Sequence, residues 1–242
     1  MYNIELLEHQ KGAEGTTLSV FKRPDGFDYL PGQHVVLRFM NIKTGDTETG
    51  MRTFTIASSP TEENIIIAYR NGISEFKKAL QGMKKGDTVK MFSPVGRFVL
   101  PEDKSSIVMI AGGIGIVPFR VFMKYSIDND LGHDFILFYS NPTANRITYK
   151  EEFDEFLKNS RTEKANNKIQ IIHTLTKSAP DGWSEEKGRI NSRMIKDRID
   201  DVSGRLFYVC GPVDMVKDME TLLIDEMGVD KKNIKTEKFT GY

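Results

Sequence analysis

Between Ser106 and Ala111 the chain carries a short, nearly all-apolar run that leads into Gly112-Gly113-Ile114-Gly115-Ile116-Val117-Pro118. A strand with one wet face alternates in polarity, so an unbroken apolar run predicts a strand of a parallel sheet, buried on both sides. The rest of the chain, as far as Met227, keeps the same logic. Helical spacing over Phe119–Tyr125 is succeeded by buried-strand runs at Phe135–Tyr139, Ile169–His173 and Leu206–Cys210, with amphipathic helices at Tyr149–Leu157 and Pro212–Met227. Strand and helix in alternation predict an open, mostly parallel α/β sheet.

The first hundred residues have a different period. Ile4–His9, Thr16–Lys22, His34–Phe39, Met51–Ala57, Ile65–Arg70, Thr88–Phe92 and Arg97–Leu100 are short β-like runs punctuated by Gly, Pro and Asp, the pattern of a small antiparallel barrel. Ser74–Leu80 has helical spacing behind a Ser suited to the N-cap, so one helix interrupts the barrel. The expected architecture is therefore two domains, a six-stranded antiparallel β-barrel over 1–101 and an α/β domain over 102–242, joined at Pro101-Glu102-Asp103-Lys104.

Charge and cysteine content remove several function classes. Residues 1–100 hold 13 basic and 11 acidic side chains and the remainder 21 and 23, so neither half has the footprint of a nucleic-acid binder. No apolar run reaches the length of a membrane span. Met1 opens directly onto a polar, alternating segment, and a cytoplasmic location is expected. The single cysteine, Cys210, excludes an internal disulfide, a zinc site of cysteine pairs and an iron–sulfur cluster on the chain's own thiolates. His9, His34, His133 and His173 lack ligand spacing, so no metal is expected, and His34 reads as an ordinary strand residue.

Two strand ends have the chemistry of a nucleotide site. Gly112, Gly113 and Gly115 lie where a buried strand passes into a helix, the place where doubly wound sheets bind ligands and where a helix N-terminus favours a pyrophosphate. The spacing is not GxGxxG, and a tight turn needed only for packing is the competing reading of that segment. Cys210-Gly211-Pro212 repeats the junction, with Cys210 either core filler or a neighbour of the bound nucleotide. In the barrel, Arg52-Thr53-Phe54-Thr55 alternates along a strand: a guanidinium suits a phosphate, a ring can stack on a flat heterocycle, and a hydroxyl can bond ring nitrogens. Alternation assigns Arg52 and Phe54 to one face and Thr53 and Thr55 to the other.

Taken in order, these segments resemble the ferredoxin–NADP reductase superfamily of flavin-dependent oxidoreductases over nearly the whole chain. Arg52-Thr53-Phe54-Thr55 matches its Arg-x-(Tyr/Phe)-(Ser/Thr) flavin motif, and Gly72-Ile73-Ser74, after Ala68-Tyr69-Arg70, matches its second flavin segment. Ser93-Pro94-Val95-Gly96-Arg97-Phe98 resembles the stretch closing the barrel, Gly112 to Pro118 the nicotinamide-domain motif, Cys210-Gly211-Pro212 a Cys-Gly-Pro signature, and Gly188-Arg189-Ile190 another recurrent segment. Glu237-Lys238-Phe239 is similar to the family's acidic-x-aromatic ending.

The resemblance implies FAD, rather than FMN, held between the domains. Arg52 would bind the flavin pyrophosphate with Ile73 and Ser74 at the helix start, Phe54 would pack on the flavin, and Thr55 would hydrogen-bond near N5. Gly112, Gly113, Ile114 and Gly115 would receive NADH or NADPH, with Cys210 beside the nicotinamide. Phe239 would cover the flavin face, and Glu237 would position that ring or shuttle protons; an edge-strand core role for Phe239 and a rival shield in Tyr242 remain open. Ile114 replaces a common Thr, Ser93 a Gly, and Phe54 a Tyr, each removing a group that many relatives use. After Ser140-Asn141, Pro142 stands where NADP-specific relatives carry Arg, which leans the expectation to NADH, with Arg146 read as a solvated loop residue. With one cysteine, electrons are expected to leave to a separate carrier of ferredoxin or flavodoxin type. Lys77, Lys78, Lys84 and Lys85 are either its docking patch or a solvated helix face. A free-flavin or ferric reductase, and a regulatory subunit of the same fold without flavin, are the rival expectations.

Overall fold

The computed structural model describes residues 1–40, 50–103, 105–160, 162 and 165–239. Tyr242 lies outside them. The first sheet is built from β1 (Tyr2–Lys11), β2 (Thr16–Phe21), β3 (His34–Arg38), β4 (Met51–Thr55), β5 (Ile65–Arg70) and β6 (Thr88–Met91), with helix α1 (Glu75–Gly82) inserted before β6. Its strands follow the order β4-β3-β6-β1-β2-β5, every neighbouring pair antiparallel. An antiparallel bridge between Ile56 and Ile67 brings the two edges together and closes the sheet into a barrel. Alternation places Ile4 and Leu6 of β1 and Val35 and Leu37 of β3 inside, where Phe76 and Leu80 of α1 join the same core.

The second sheet is parallel throughout. It comprises β7 (Ser106–Gly112), β8 (Asp134–Asn141), β9 (Lys168–Leu175), β10 (Glu186–Lys187), β11 (Leu206–Pro212) and β12 (Ile234–Phe239), in the order β10-β9-β8-β7-β11-β12. Helices α2 (Val117–Asp128), α3 (Lys150–Ser160), α4 (Ser192–Lys196) and α5 (Val213–Thr221) cover it. The apolar run of β7 has its reason here. Ile107, Met109 and Ala111 enter the core with Phe119, Phe122 and Phe153 from α2 and α3, whereas Val108 and Ile110 enter the opposite core with Met194, Val216 and Met219 from α4 and α5. Burying each large side chain contributes about 1.5–3 kcal/mol relative to leaving it in water, so a polar residue on either face of this strand would be costly.

Two expectations are corrected. Arg97–Leu100 is not a strand. After the Val95–His34 bridge, Gly96 turns with φ +119°, and Phe98 and Leu100 bury themselves in the parallel sheet's core, with Phe98 5.1 Å from the Tyr208 ring and the Tyr208 hydroxyl donating to the Val99 carbonyl. The stretch is a strap between the domains. Pro212–Met227 is not one helix: Pro212 ends β11, α5 stops at Thr221, and a π-helical turn, Leu222–Glu226, continues it. The short elements β10 and α4 carried too few residues to show a period. Phe239 lies on an edge strand, β12, which pairs in parallel with β11.

The order reverses at β7: the chain continues to β8 on one side and returns as β11 on the other. Such a switch point leaves a crevice beyond the carboxyl ends of the two strands. Those ends carry Gly112–Gly115 and Cys210–Pro212, and the barrel stands against them.

Candidate functional site

A cavity of about 610 Å³ opens between the domains, within the range of small-molecule and cofactor sites. The barrel contributes His34, Arg52, Thr53, Phe54, Thr55, Ala68, Tyr69, Arg70, Gly72, Ile73, Ser74 and Lys77, and the parallel domain contributes Ile114, Val117, Glu237, Lys238 and Phe239. All four residues of Arg52–Thr55 line it, because β4 is the end strand of the hydrogen-bonded order and exposes both sides of its end to the cleft.

One end of the cavity is cationic. Ser74 caps α1, its hydroxyl accepting from the Lys77 backbone N–H at 3.3 Å. The helix therefore presents its positive end here, with the exposed Ile73 just outside it. Burial and then the neighbouring Arg52 charge lower the pKa of the Lys77 ammonium. Two cations held this close, at a capped helix start, would gain from an anion between them. Lys77 is thus part of the cavity wall rather than of a fully solvated face. Phe54 forms the next stretch, its ring 6.1 Å from Tyr69 and 5.8 Å from Phe76. Burial raises the Tyr69 pKa, and the Ser19 hydroxyl at 3.2 Å opposes the shift.

The other end brings together a hydroxyl, an imidazole, a carboxylate and a ring. Thr55, 6 % exposed, pairs in register with His34 on β3. His34 Nδ1 lies 3.6 Å from Glu237 Oε1 on β12. The second carboxylate oxygen, Oε2, is buried with no hydrogen-bond partner among the described residues, and such a group calls for a donor that a ligand can supply. Phe239 packs against an apolar cluster that both domains build, Leu18, Ala57 and Ala68 from the barrel and Ile114 and Val117 from the parallel domain. It is therefore an edge-strand residue and a cavity wall at once. An anion-seeking end, an aromatic and apolar middle, and an end rich in hydrogen-bonding groups fit the three parts of a flavin nucleotide.

Among the described residues expected at the site, Gly112, Gly113, Gly115, Cys210, Gly211 and Pro212 do not line this cavity. Gly112 and Gly115 answer to packing, whereas Gly113 answers to a positive φ of +53°. A Cβ on Gly115 would sit 2.3 Å from the Cys210 carbonyl oxygen, and one on Gly112 would sit 2.3 Å from Met215 Sδ. The turn after β7 and the end of β11 can touch only because neither has a side chain there. Cys210 is fully buried beside Glu237 in the β11–β12 register, and burial, with a smaller contribution from that carboxylate, raises its thiol pKa well above the ordinary value.

Sequence reasoning set aside His34 and left Lys77 between docking patch and solvated helix face. Signals for both existed. His34 faces Thr55 once β3 and β4 are paired, and Lys77 stands three residues after the N-cap Ser74. A second cavity, of about 590 Å³, lies beyond the carboxyl ends of β8 and β9, between Glu14, Pro142–Arg146 and Lys177–Pro180. There Arg146 is not simply solvated: its Nε lies 4.0 Å from Glu14 Oε1, and Glu14 also accepts from the Asn145 side-chain amide.

Residues 109–221 match the oxidoreductase NAD-binding domain family. The chain is 26% identical over 243 residues to flavohemoprotein B of Dictyostelium discoideum, covering 90% of this chain and 54% of that protein. It is 30% identical over 197 residues to NADH-cytochrome b5 reductase 1 of Kluyveromyces lactis, covering 78% and 66%. The chain spans a little over half the length of the flavohemoproteins it matches. A crystal structure of a ferredoxin NADP+ reductase from Neisseria gonorrhoeae with bound FAD and NADP has the same fold, with a TM-score of 0.77 at 19% identity and 98% of both chains covered.

Proposed function

Because the chain belongs to the ferredoxin–NADP reductase superfamily of FAD-dependent NAD(P)H oxidoreductases, we propose that it draws electrons from NADH through FAD and delivers them to a one-electron carrier. The observation that carries this reading is one cavity walled by both domains, with cations and a capped helix at one end and Thr55, His34, Glu237 and Phe239 at the other. In this reading residues 1–101 hold the flavin and residues 102–242 the nicotinamide dinucleotide. Flavin, when bound, supplies the chemistry of accepting a hydride and releasing electrons singly.

The chain's own residues then have distinct tasks. Arg52 and Lys77, with the backbone N–H groups at Ile73 and Ser74, bind the pyrophosphate. Phe54 and Tyr69 form the side of the slot. Thr55 orients the reactive edge through its hydroxyl, held in place by burial and by the β3–β4 pairing. Glu237, next to the His34 imidazole, holds or passes a proton at that edge. Phe239 covers the ring face and shields it from water until the nicotinamide takes its place. Cys210 stands beside Glu237 on the neighbouring strand, and the glycines at Gly112, Gly115 and Gly211 keep the two strand ends close enough for the dinucleotide to span them.

NADH rather than NADPH is supported by Glu14, whose carboxylate stands in the cavity beyond β8 and β9 and partly neutralises Arg146. A 2′-phosphate placed there would meet that charge. The name of the Kluyveromyces relative points the same way and to a cytochrome, so a cytochrome joins ferredoxin and flavodoxin as a candidate acceptor type. Purified protein given FAD should turn yellow, bleach anaerobically with NADH faster than with NADPH, and reduce a one-electron protein carrier faster than free flavin or a ferric chelate. Protein that stays colourless with added FAD would overturn the reading.

A further inference from the structure

Arg120 stands one turn into α2, immediately behind the glycine turn, and is 6% exposed. All five of its N–H donors have acceptors, and these come from three separate segments. Nε and Nη2 donate to the two Glu152 oxygens at 2.8 and 2.5 Å, Nη2 and Nη1 donate to the two Glu62 oxygens, and Nη1 also reaches the Ala57 carbonyl at 3.1 Å. The guanidinium lies 5.5 Å from the centre of the Tyr149 ring. Glu62 and Ala57 belong to the barrel, and Glu152 belongs to α3 of the parallel domain. Glu62 is itself braced by the Ser59 backbone N–H at 2.5 Å.

What the cluster joins matters more than its strength. Ala57 follows Thr55 by two residues, just past the Ile56–Ile67 bridge that closes the barrel. Arg120 follows the Gly113–Ile116 turn by four. One side chain thus ties the end of β4, which carries Thr55, to the helix that carries the glycine turn. Arg70 crosses the seam in the opposite direction: from the barrel it donates to the Arg146 carbonyl at 3.1 Å and to Asn141 Oδ1 at 3.4 Å, and within the barrel to Thr16 Oγ1 at 2.7 Å. Two arginines, one from each domain, hold the two walls of the cavity in one alignment.

We propose that Arg120, bridging Glu62 and Glu152, is a positioning residue for the oxidoreductase reaction: it sets the separation of the Thr55 wall from the glycine-turn and Glu237 wall without touching either reactant. The inference rests on the reading above for its kinetic consequence. Transfer between two stacked rings needs a near-contact geometry, and a misplacement of about 1 Å can cost on the order of 100-fold in rate. Lysine in place of Arg120 keeps the charge but offers three donors on a point, so it cannot bridge two carboxylates and a carbonyl in this fork geometry.

The test uses Arg120→Lys and, as a milder variant certain to retain the Glu152 half of the bridge, Glu62→Gln. Stopped-flow reduction at saturating NADH should slow by ~10–100-fold in Arg120→Lys and by less in Glu62→Gln, with the dissociation constants of FAD and NADH within about threefold of the parent. Calorimetry of the flavin-free proteins should show one cooperative transition in the parent and two separated transitions in Arg120→Lys, the sign of uncoupled domains. An unchanged reduction rate, or a slower rate accompanied by an equal loss of nucleotide affinity and a single shifted transition, would overturn the positioning role. A parent protein that binds no flavin would sink the functional reading while leaving the calorimetric test of the clamp intact.

Discussion

His173 makes the parallel domain sensitive to acid in a way that can be calculated and isolated. It lies on β9, 3% exposed, and neither ring nitrogen has a hydrogen-bond partner among the described residues. Its surroundings are the Tyr139 ring at 5.7 Å, the Lys150 ammonium, Asp154, and Glu185, which accepts from the His173 backbone N–H at 2.7 Å. Burial first, then the Lys150 charge, push the imidazole down from 6.5 to about 4, with Asp154 opposing. The folded chain therefore keeps His173 neutral at pH values where the unfolded chain protonates it. Stability is fully present above about pH 6.5 and falls as the pH drops toward 4, because the unfolded state binds the extra proton. For those two values, linkage gives a loss of about 2 kcal/mol between pH 7 and pH 5 from this residue alone. Urea unfolding can be followed through Trp183, the single tryptophan, whose indole N–H donates to the carbonyl of Glu186, the residue after Glu185. His173→Phe keeps a ring in the slot and removes the titration, so its stability should drop by about 2 kcal/mol less than the parent's over the same interval. Equal drops in the two proteins would refute the assignment, whatever the absolute stabilities.

Three further changes probe the site. Gly115→Ala places a Cβ about 1 Å inside ordinary contact with the Cys210 backbone; the strand end must yield, costing about 1–3 kcal/mol in urea melts and slowing reduction by NADH, and parent-like values of both would contradict the close-packing reason for that glycine. Arg52→Ala removes a charged hydrogen-bond donor worth about 1.5–3 kcal/mol, so the FAD dissociation constant measured by fluorescence should rise by at least tenfold, and an unchanged constant would exclude the pyrophosphate role. Cys210→Ala should slow flavin reduction by NADH more than it weakens FAD binding; an unaffected rate leaves Cys210 as core filler.

The sequence by itself determined which segments could be buried on two faces and which on one, and hence the two domains. The unbroken apolar run at Ser106–Ala111 admits no other environment, because each face of β7 is covered by helices. Local chemistry was equally legible. Ser74 had to cap α1, and Arg52, Phe54 and Thr55 had to stand near one another, since these relations span a few residues along one chain. Only the tertiary structure decided which side chains from distant segments share a wall. His34 reads as a strand residue until β3 pairs with β4 and β12 arrives opposite, about two hundred positions later, to set Glu237 beside it. Phe98 and Leu100 carry a strand pattern but bury against the other domain. The glycines at the switch point admit both a ligand and a tight turn as their reason, and only the folded chain sets the Cys210 carbonyl and the Met215 sulfur where a Cβ on Gly115 or Gly112 would stand. Periodicity reports how much of a residue is covered. What covers it depends on the closure of the barrel and the reversal of strand order at β7, neither of which leaves a local mark in the chain.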